Sequence, residues 1–423
     1  MSDNVPQIRF KDYTTPWETC KLSDLFDKAI SNNTLSRADL NYENGEVKNI
    51  HYGDILVKFG TFVDPTKDNV PFISNGKADD YEGKLLRDGD IVFADAAEDI
   101  TVGKMVEVIN ENEINIVSGL HTIAYRPNKT MPSYFWGYYM NSNAYRRQLL
   151  PLMQGIKVLS LSRTNLSKTA IRYPCTTQEQ TAIGNFFKTL DALTSLQTNK
   201  LEKLKTLKRA YLQQLFPQEE ETTPRLRFAD FDGEWVQCKL GEVGKTQSGI
   251  GFPEKDQHGT EGTPFFKVSD MNLCGNQNVM NTANNYVSDE QIRQKKWKII
   301  NDIPAIIFAK VGAALLLDRK RIVFTPFLID NNMMAYLLSN KWDIDFAKTK
   351  FDTMNLSKYA QIGALPSFNS AEVEAIEILL PFKTEQIIIG NFFKSLDKNI
   401  TAQRNKLDKL KQLKAAYLQK MFV

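Results

Sequence analysis

Cysteine and histidine are scarce in this chain of 423 residues: Cys20, Cys175, Cys238, Cys274, His51, His121 and His258 lie far apart. No Cys-x-x-Cys spacing occurs, so neither a zinc ribbon nor a disulfide framework is expected. These seven residues read as buried thiols and satisfied or exposed imidazoles, in keeping with a reducing cytoplasm. No apolar run approaches the ~18 residues of a membrane span, and Met1-Ser2-Asp3-Asn4 lacks the basic and apolar segments of a secretory signal. Excess charge is small too, at +3, so any anion-binding surface must come from local clustering.

Catalytic signatures are equally sparse. Gly244-Lys245-Thr246 resembles the end of a phosphate-binding loop, but Lys239 stands where its first glycine belongs. Gly249-Ile250-Gly251 lacks the third glycine of a dinucleotide fingerprint, and no Asn-Pro-Pro or Asp-Pro-Pro tetrapeptide of an amino-methyltransferase is present. Glu82-Gly83-Lys84 downstream of Asp64 imitates part of a nuclease site but reads better as a solvated turn. Glu98-Asp99 reads as a surface acidic pair.

What the chain does contain is a repeat. Residues 179–216 recur at 385–422 with a constant offset of 206, no gap, and 24 identities in 38 positions. The shared core is Glu-Gln-x-x-Ile-Gly-Asn-Phe-Phe-Lys-x-Leu-Asp, continued by a leucine-rich tail. A second shared motif opens each half: Pro6 to Leu22 returns as Pro224 to Leu240, with Trp17, Cys20, Lys21 and Leu22 matching Trp235, Cys238, Lys239 and Leu240. Each half is therefore an opening motif, a divergent body and a constant tail. Such self-similarity is the first thing to weigh in assigning a fold.

The tails read as long helices. Pro174 precedes the first, Thr176 and Glu179 form a capping box, and Glu385 keeps an acid at the start of the second. Leu190, Leu193, Leu204, Leu207 and Tyr211, with Leu201 and Leu215, recur at the spacing of a coiled-coil stripe, as do Leu396, Leu407, Leu410, Leu413 and Tyr417. Gly184 and Gly390 each cost about 1 kcal/mol inside a helix, which implies close approach by another backbone. Positions 197–216 carry a net charge of +4 and 400–423 a net charge of +5.

The bodies read as β-rich. In the first, Gly53 to Gly60 and Gly89 to Asp95 look like turn-then-strand units, Val102 to Ile109, Thr122 to Tyr125 and Ile171 to Pro174 like strands, and Tyr134 to Leu150 like a helix. In the second, Lys245 to Gly251 reads as a glycine-rich loop. Pro264 to Asn272 reads as a strand entering a polar loop, Ala305 to Gly312 as a strand, and Met334 to Leu338 and Trp342 to Phe351 as helices. Gln361-Ile362-Gly363-Ala364 stands where the first body has Gln154-Gly155.

The fold class expected is α+β: two globular domains separated by two long antiparallel helices, a coiled-coil spacer with a pseudo-two-fold internal repeat. The divisions are 1–175 (opening motif 6–22), 176–216 (first helix), 217–223 (exposed linker), 224–381 (opening motif 224–240) and 382–423 (second helix). Leu190 to Phe216 would extend roughly 40 Å at 1.5 Å per residue, the length of about 12 base pairs of B-DNA.

The doubled Glu-Gln-x-x-Ile-Gly-Asn-Phe-Phe-Lys-x-Leu-Asp, the doubled Trp-x-x-Cys-Lys-Leu and Phe266-Lys267-Val268-Ser269-Asp270-Met271-Asn272 resemble the specificity (S) subunit of type I restriction–modification enzymes over essentially the whole chain. The resemblance implies two target recognition domains, each reading half of a split, asymmetric double-stranded DNA site, and helices that dock two methyltransferase (M) subunits, to which restriction (R) subunits can add. It implies no catalysis and no cofactor in this chain: S-adenosylmethionine belongs to the M partner, ATP and Mg2+ to the R partner. Loop placement nominates Lys58, Ser74, Asn75, Lys77 and Lys157 in the first body for DNA. In the second it nominates Gln247, Ser248, Lys267, Ser269, Asn272, Lys310 and Gln361. Helix packing or partner docking falls to Gly184, Phe186, Phe187, Leu201, Leu204, Gly390, Phe392, Phe393, Leu407 and Leu410. The alternatives are a DNA nuclease with its own active site and a structural coiled-coil tether.

Overall fold

The computed structural model describes residues 4–361 and 366–423. Residues 1–3 of the leader segment, and Ile362, Gly363 and Ala364 of the second Gln-initiated stretch, lie outside the described residues. Two compact units emerge: one takes the chain up to Thr198 together with Asn405–Val423, the other Asn199–Arg404.

Each unit is built on a mainly antiparallel sheet, with Phe62–Val63 of the first pairing parallel to Met105–Val108. In the first its order is Lys28–Ile30, Thr122–Arg126, Ile91–Ala94, Met105–Val108, with the short Phe62–Val63 strand at the edge. In the second the order is Gly244–Ser248, Met333–Leu338, Ala305–Ala309, Lys320–Val323. The central strands are apolar throughout because both faces are covered. Alternate residues feed opposite cores, as the two-residue period of a strand requires. Ile91 and Phe93 join the cluster that holds Phe187 and Phe422, while Val92 and Ala94 join a separate cluster with Ile50 and Ile116. Ile306 and Phe308 likewise pack with Phe216 and Phe393, and Ile307 and Ala305 with Phe266 and Phe327.

Both tails form helices of 38 residues, Thr177–Gln214 and Lys383–Lys420. Neither contains proline; Pro174 and Pro381 stand before them and Pro217 follows the first. The doubled Glu-Gln has a specific task at each start. Glu179 accepts from Arg9 Nε (2.7 Å) and Nη2 (2.8 Å), and Glu385 from Arg227 Nε (2.8 Å) and Nη2 (2.7 Å). Both carboxylates are buried. Gln180 and Gln386 fold back to donate to the Pro174 and Pro381 carbonyls at 2.8 and 3.0 Å. The expected capping box is therefore half made. Thr176 Oγ1 accepts the Glu179 N–H at 3.3 Å, but the glutamate side chain turns away to the arginine.

In the first unit Phe186 meets Tyr417 edge-on at 5.0 Å and Lys414 pairs with Asp191. In the second, Tyr211 meets Phe392 edge-on at 4.9 Å and Lys208 pairs with Asp397 at 2.6 Å. Residue numbers rise on one helix as they fall on the other, so the contact within each unit is antiparallel. The last phenylalanine of each tail enters a core: Phe422 stacks on Phe187 at 5.4 Å, and Phe216 lies 5.9 Å from Phe393. The helix glycines lie where the sequence demanded room. A Cβ at Gly184 would come within 2.9 Å of the Ser133 carbonyl oxygen, and one at Gly390 within 2.6 Å of the Phe346 nitrogen.

Several local expectations are corrected. The stripe does not include Leu193, Leu207 or Leu413, all exposed; the more buried line runs through Phe187, Leu190, Thr194, Gln197, Leu201 and Leu204 at alternating steps of three and four. Residues 52–57 are helical, because the His51 ring nitrogen accepts the Gly53 N–H at 3.1 Å and starts a turn. The supposed glycine-rich loop begins with the Gly244–Ser248 strand, whose glycine lies against Tyr336, where a Cβ would approach its ring to 2.4 Å. Met333–Leu338 is a strand: a short apolar run covered on both faces has no helical period to betray it. The Tyr134–Leu150 helix breaks at Ser142, whose hydroxyl donates to the Tyr139 carbonyl at 2.6 Å. Cys175 and Cys274 are exposed rather than buried.

Removing Arg9 should leave Glu179 buried without its partner. Arg9→Met is expected to cost about 3–5 kcal/mol, with Arg9→Met/Glu179→Met recovering most of it. Chemical denaturation of the full cycle measures the coupling, and additive losses would show that the pair contributes nothing.

Glu107 sets a pH dependence. Its buried carboxyl accepts the backbone N–H groups of Tyr134 (2.7 Å) and Gly137 (2.8 Å) at the start of the Phe135–Asn141 helix. Burial outweighs these bonds and pushes its pKa from 4.5 to about 7. The folded state then holds a proton that the unfolded state has released, so this group's contribution is largest below its unfolded pKa and fades as pH rises to about 7. Glu107→Gln should remove a fall on the order of 3 kcal/mol across that window. Urea titrations at pH 5, 6, 7 and 8 test it; identical slopes for both proteins would contradict it.

Candidate nucleic-acid interface

The two bodies can be superposed by their hydrogen bonds where their sequences cannot. Ala94 pairs with Thr122 and Phe93 with Ile123; Ala309 pairs with Met333 and Phe308 with Met334. One residue beyond the central strand, the Asp95 N–H donates to the His121 carbonyl at 3.0 Å and the Leu161 N–H to the Asp95 carbonyl at 2.9 Å. In the second body the Lys310 N–H donates to the Asn332 carbonyl at 2.8 Å, and the Phe368 N–H to the Lys310 carbonyl at 3.2 Å. Gly119 to Ile50 and Asp330 to Phe266 repeat a further bond, both at 3.0 Å. Asp95 thus corresponds to Lys310, His121 to Asn332, and His51 to Lys267.

The same edge carries a turn in the first body. Gln154 and Ser160 exchange backbone bonds of 3.0 and 2.7 Å, and Gln361 bridges Ser367 in the same sense. Gly155, at φ 118°, makes the turn possible, since a Cβ there would lie 1.9 Å from the Val158 carbonyl oxygen. Ile156, Lys157 and Val158 are exposed on it.

Of the nominated residues, Lys157, Lys267, Lys310 and Gln361 belong to this edge. The Lys267 ammonium donates to Gln257 Oε1 at 3.0 Å, and Gln361 donates to Glu372. Lys310 makes no side-chain ion pair or hydrogen bond among the described residues. Gln247 and Ser248 lie on the sheet-edge strand beside Met333–Leu338, and Ser269 and Asn272 in the short helical turn after Phe266, where Asn272 accepts from Arg319. Lys58 caps the Tyr52–Val57 helix, engages the Asn69 carbonyl, and lies 4.4 Å over the Tyr42 ring. Ser74, Asn75 and Lys77 are exposed beyond the Phe72–Ile73 strand of a smaller sheet; Ser74 Oγ accepts from Asn41 at 3.3 Å. Phe187, Phe393, Leu201 and Leu407 are buried, and Phe186, Phe392, Leu204 and Leu410 half-buried.

The sequence nominates none of Asp95, His121 and Asn332, which the structure places on this edge. His121 Nδ1 lies 3.4 Å from Asp95 Oδ1, and its ring stands edge-on to Tyr52 at 5.3 Å. Burial raises the Asp95 carboxyl and His121 opposes that shift. The only available signal was the break of likeness after Ile-x-Phe-Ala in both bodies.

A cleft of about 460 Å³ in the second unit is lined by Arg209 and Arg404 and by Lys205 and Lys208, which pair with the lining acids Glu202 and Asp397. Among the described residues no three His, Cys, Asp or Glu side chains gather as a metal site would need. Asp64, nominated for the nuclease alternative, bonds Thr66 and Lys67 in its own turn. Among the described residues no helix is long and apolar enough to cross a membrane.

Comparison with known proteins supplies the class. A family model described as the type I restriction modification DNA specificity domain matches residues 14–206 and again 232–412. The S subunit of a type I restriction–modification system from M. genitalium is 13% identical, with a TM-score of 0.60 over 99% of each chain. A chain from a structure on complex assembly and conformational transition of the type I R-M system is 14% identical, with a TM-score of 0.56 over 97% of this chain and 99% of that one. The HsdS subunit from Thermoanaerobacter tengcongensis is 14% identical, with a TM-score of 0.50 over 97% and 98%. No curated protein matches in sequence. At such identities the solved structures bear on the fold, while the doubled match covers most of the sequence, and the chain belongs to the type I restriction modification DNA specificity domain family.

Proposed function

We propose that this chain is the DNA-specificity subunit of a type I restriction–modification system. It reads a bipartite, asymmetric double-stranded site, one half with each body, and docks two methyltransferase subunits, to which restriction subunits can add. Catalysis lies in those partners: S-adenosylmethionine is bound by the methyltransferase, ATP and Mg2+ by the restriction subunit, and all three work in the cytoplasm. The observation that carries this reading is the doubled frame. The same hydrogen-bonded edge occurs twice, in two matches to a DNA specificity domain, and presents different side chains each time. Phosphate contacts, supplied by cations such as Arg404, would position the duplex without reading it.

Two partners need two equivalent surfaces. Leu207 and Leu413 are related by the repeat and remain 44% and 43% exposed. As exposed apolar points at matching places in the two copies of the tail, they are the docking positions of this reading.

Co-expression with the methyltransferase should yield a defined complex, and mapping methylated adenines in DNA from those cells should give one split motif with an unread gap. A continuous motif, or sequence-independent methylation, would refute the two-reader arrangement. Leu207→Asp or Leu413→Asp alone should reduce the complex from two methyltransferases to one, and the double variant to none, as read by native mass spectrometry. Retention of both partners by the double variant would exclude these leucines from docking.

A further inference from the structure

The superposition of the two frames isolates positions where the bodies differ although the backbone does not. Along the central strands the side chains agree: Ile91 with Ile306, Phe93 with Phe308, Ala94 with Ala309. On the neighbouring strand Ala124 and Tyr125 match Ala335 and Tyr336. At the next residue outward, charge reverses from Asp95 to Lys310, and the residue bonded to it changes from His121 to Asn332. Packing explains none of this. The Asp95 and His121 side chains are 26% and 52% exposed, and Lys310 and Asn332 are half-buried and exposed. The Lys310 side chain has no hydrogen-bond partner among the described residues, and the Asn332 side chain engages only the carboxylate of Asp330, two residues before it.

We propose that Asp95 with His121 in the first body, and Lys310 with Asn332 in the second, are specificity-determining pairs that contact base edges of the two half-sites. The assignment rests on the DNA-reading function proposed above and adds the residues and the chemistry. A carboxylate only accepts hydrogen bonds and is repelled by phosphate, so on a DNA-facing edge its partner is the exocyclic amino group of cytosine or adenine. An ammonium only donates, and its base partner is O6 or N7 of guanine. Asn332, carrying both donor and acceptor, suits adenine. The Gln154–Ser160 turn springs from the same edge as the first pair, and the backbone bridge between Gln361 and Ser367 adjoins the second.

The test uses the complex of full chain and methyltransferase, with duplexes in which each base pair of the mapped motif is replaced in turn. Lys310→Gln should lose about 10- to 100-fold discrimination at one guanine-containing position of one half-site and leave the other half-site unchanged. Asp95→Asn should do the same in the opposite half-site, at a position whose read base carries an amino group. Unchanged discrimination for both variants would overturn the proposal while leaving the DNA-specificity function intact. Uniform weakening over all sequences with a shallower salt dependence would also overturn it, by making Lys310 a phosphate contact. A wild-type complex without any split motif would instead overturn the underlying function. Retained thermal stability and partner stoichiometry in each variant separate these outcomes from misfolding.

Discussion

A carboxylate buried at the first turn of a 38-residue helix is tenable only with a cation held against it, and this constraint organises each half of the chain. Glu179 and Glu385 have that cation in Arg9 and Arg227, gripped through two parallel bonds. Each arginine is itself fixed by a backbone carbonyl six residues on, Thr15 at 2.6 Å and Gly233 at 2.5 Å. The opening motif is thus locked to the tail across the whole intervening body. Trp17 and Trp235 follow directly into the cores, and the paired strands Glu18–Lys21 with Ala170–Tyr173, and Val236–Lys239 with Glu377–Leu380, close each body's base. Everything between these strands is free to diverge as long as the sheet survives.

That freedom is distributed unevenly. Positions feeding the two cores of each sheet stay apolar, because one side chain turned outward would expose its neighbours on both faces. Positions just past the strand ends carry no such burden. A three-strand platform holds their backbone through bonds that ignore side-chain identity, so Asp95 can become Lys310 without cost to the fold. A scaffold that fixes the peptide and releases the side chain is what altering specificity without altering structure requires.

The constant parts were legible in the sequence and the variable parts were not, for identifiable reasons. The tails revealed themselves by identity, and Gly184 and Gly390 by their helical cost; both meet close neighbours where a side chain would not fit. The Arg–Glu clamps stayed hidden because their partners are separated by 170 and 158 residues, and no local period connects them. Met334 to Leu338 reads as helix and lies in the strand Met333–Leu338, because a strand covered on both faces shows no alternation. Lys310 is nominated by its place after a recognisable strand. Its counterpart Asp95 carries no such signal, because loop placement favours cations and amides as phosphate- and base-contacting groups.

The helices add a constraint of register. The pairs Asp191–Lys414 and Lys208–Asp397 sit partly buried beside the apolar seam, where slipping either helix by one turn would strand a charge against leucine. Leucines alone tolerate such slips; polar pairs at seam positions do not. Asp191 precedes Lys208 by as many residues as Asp397 precedes Lys414, so both pairs accept the same register.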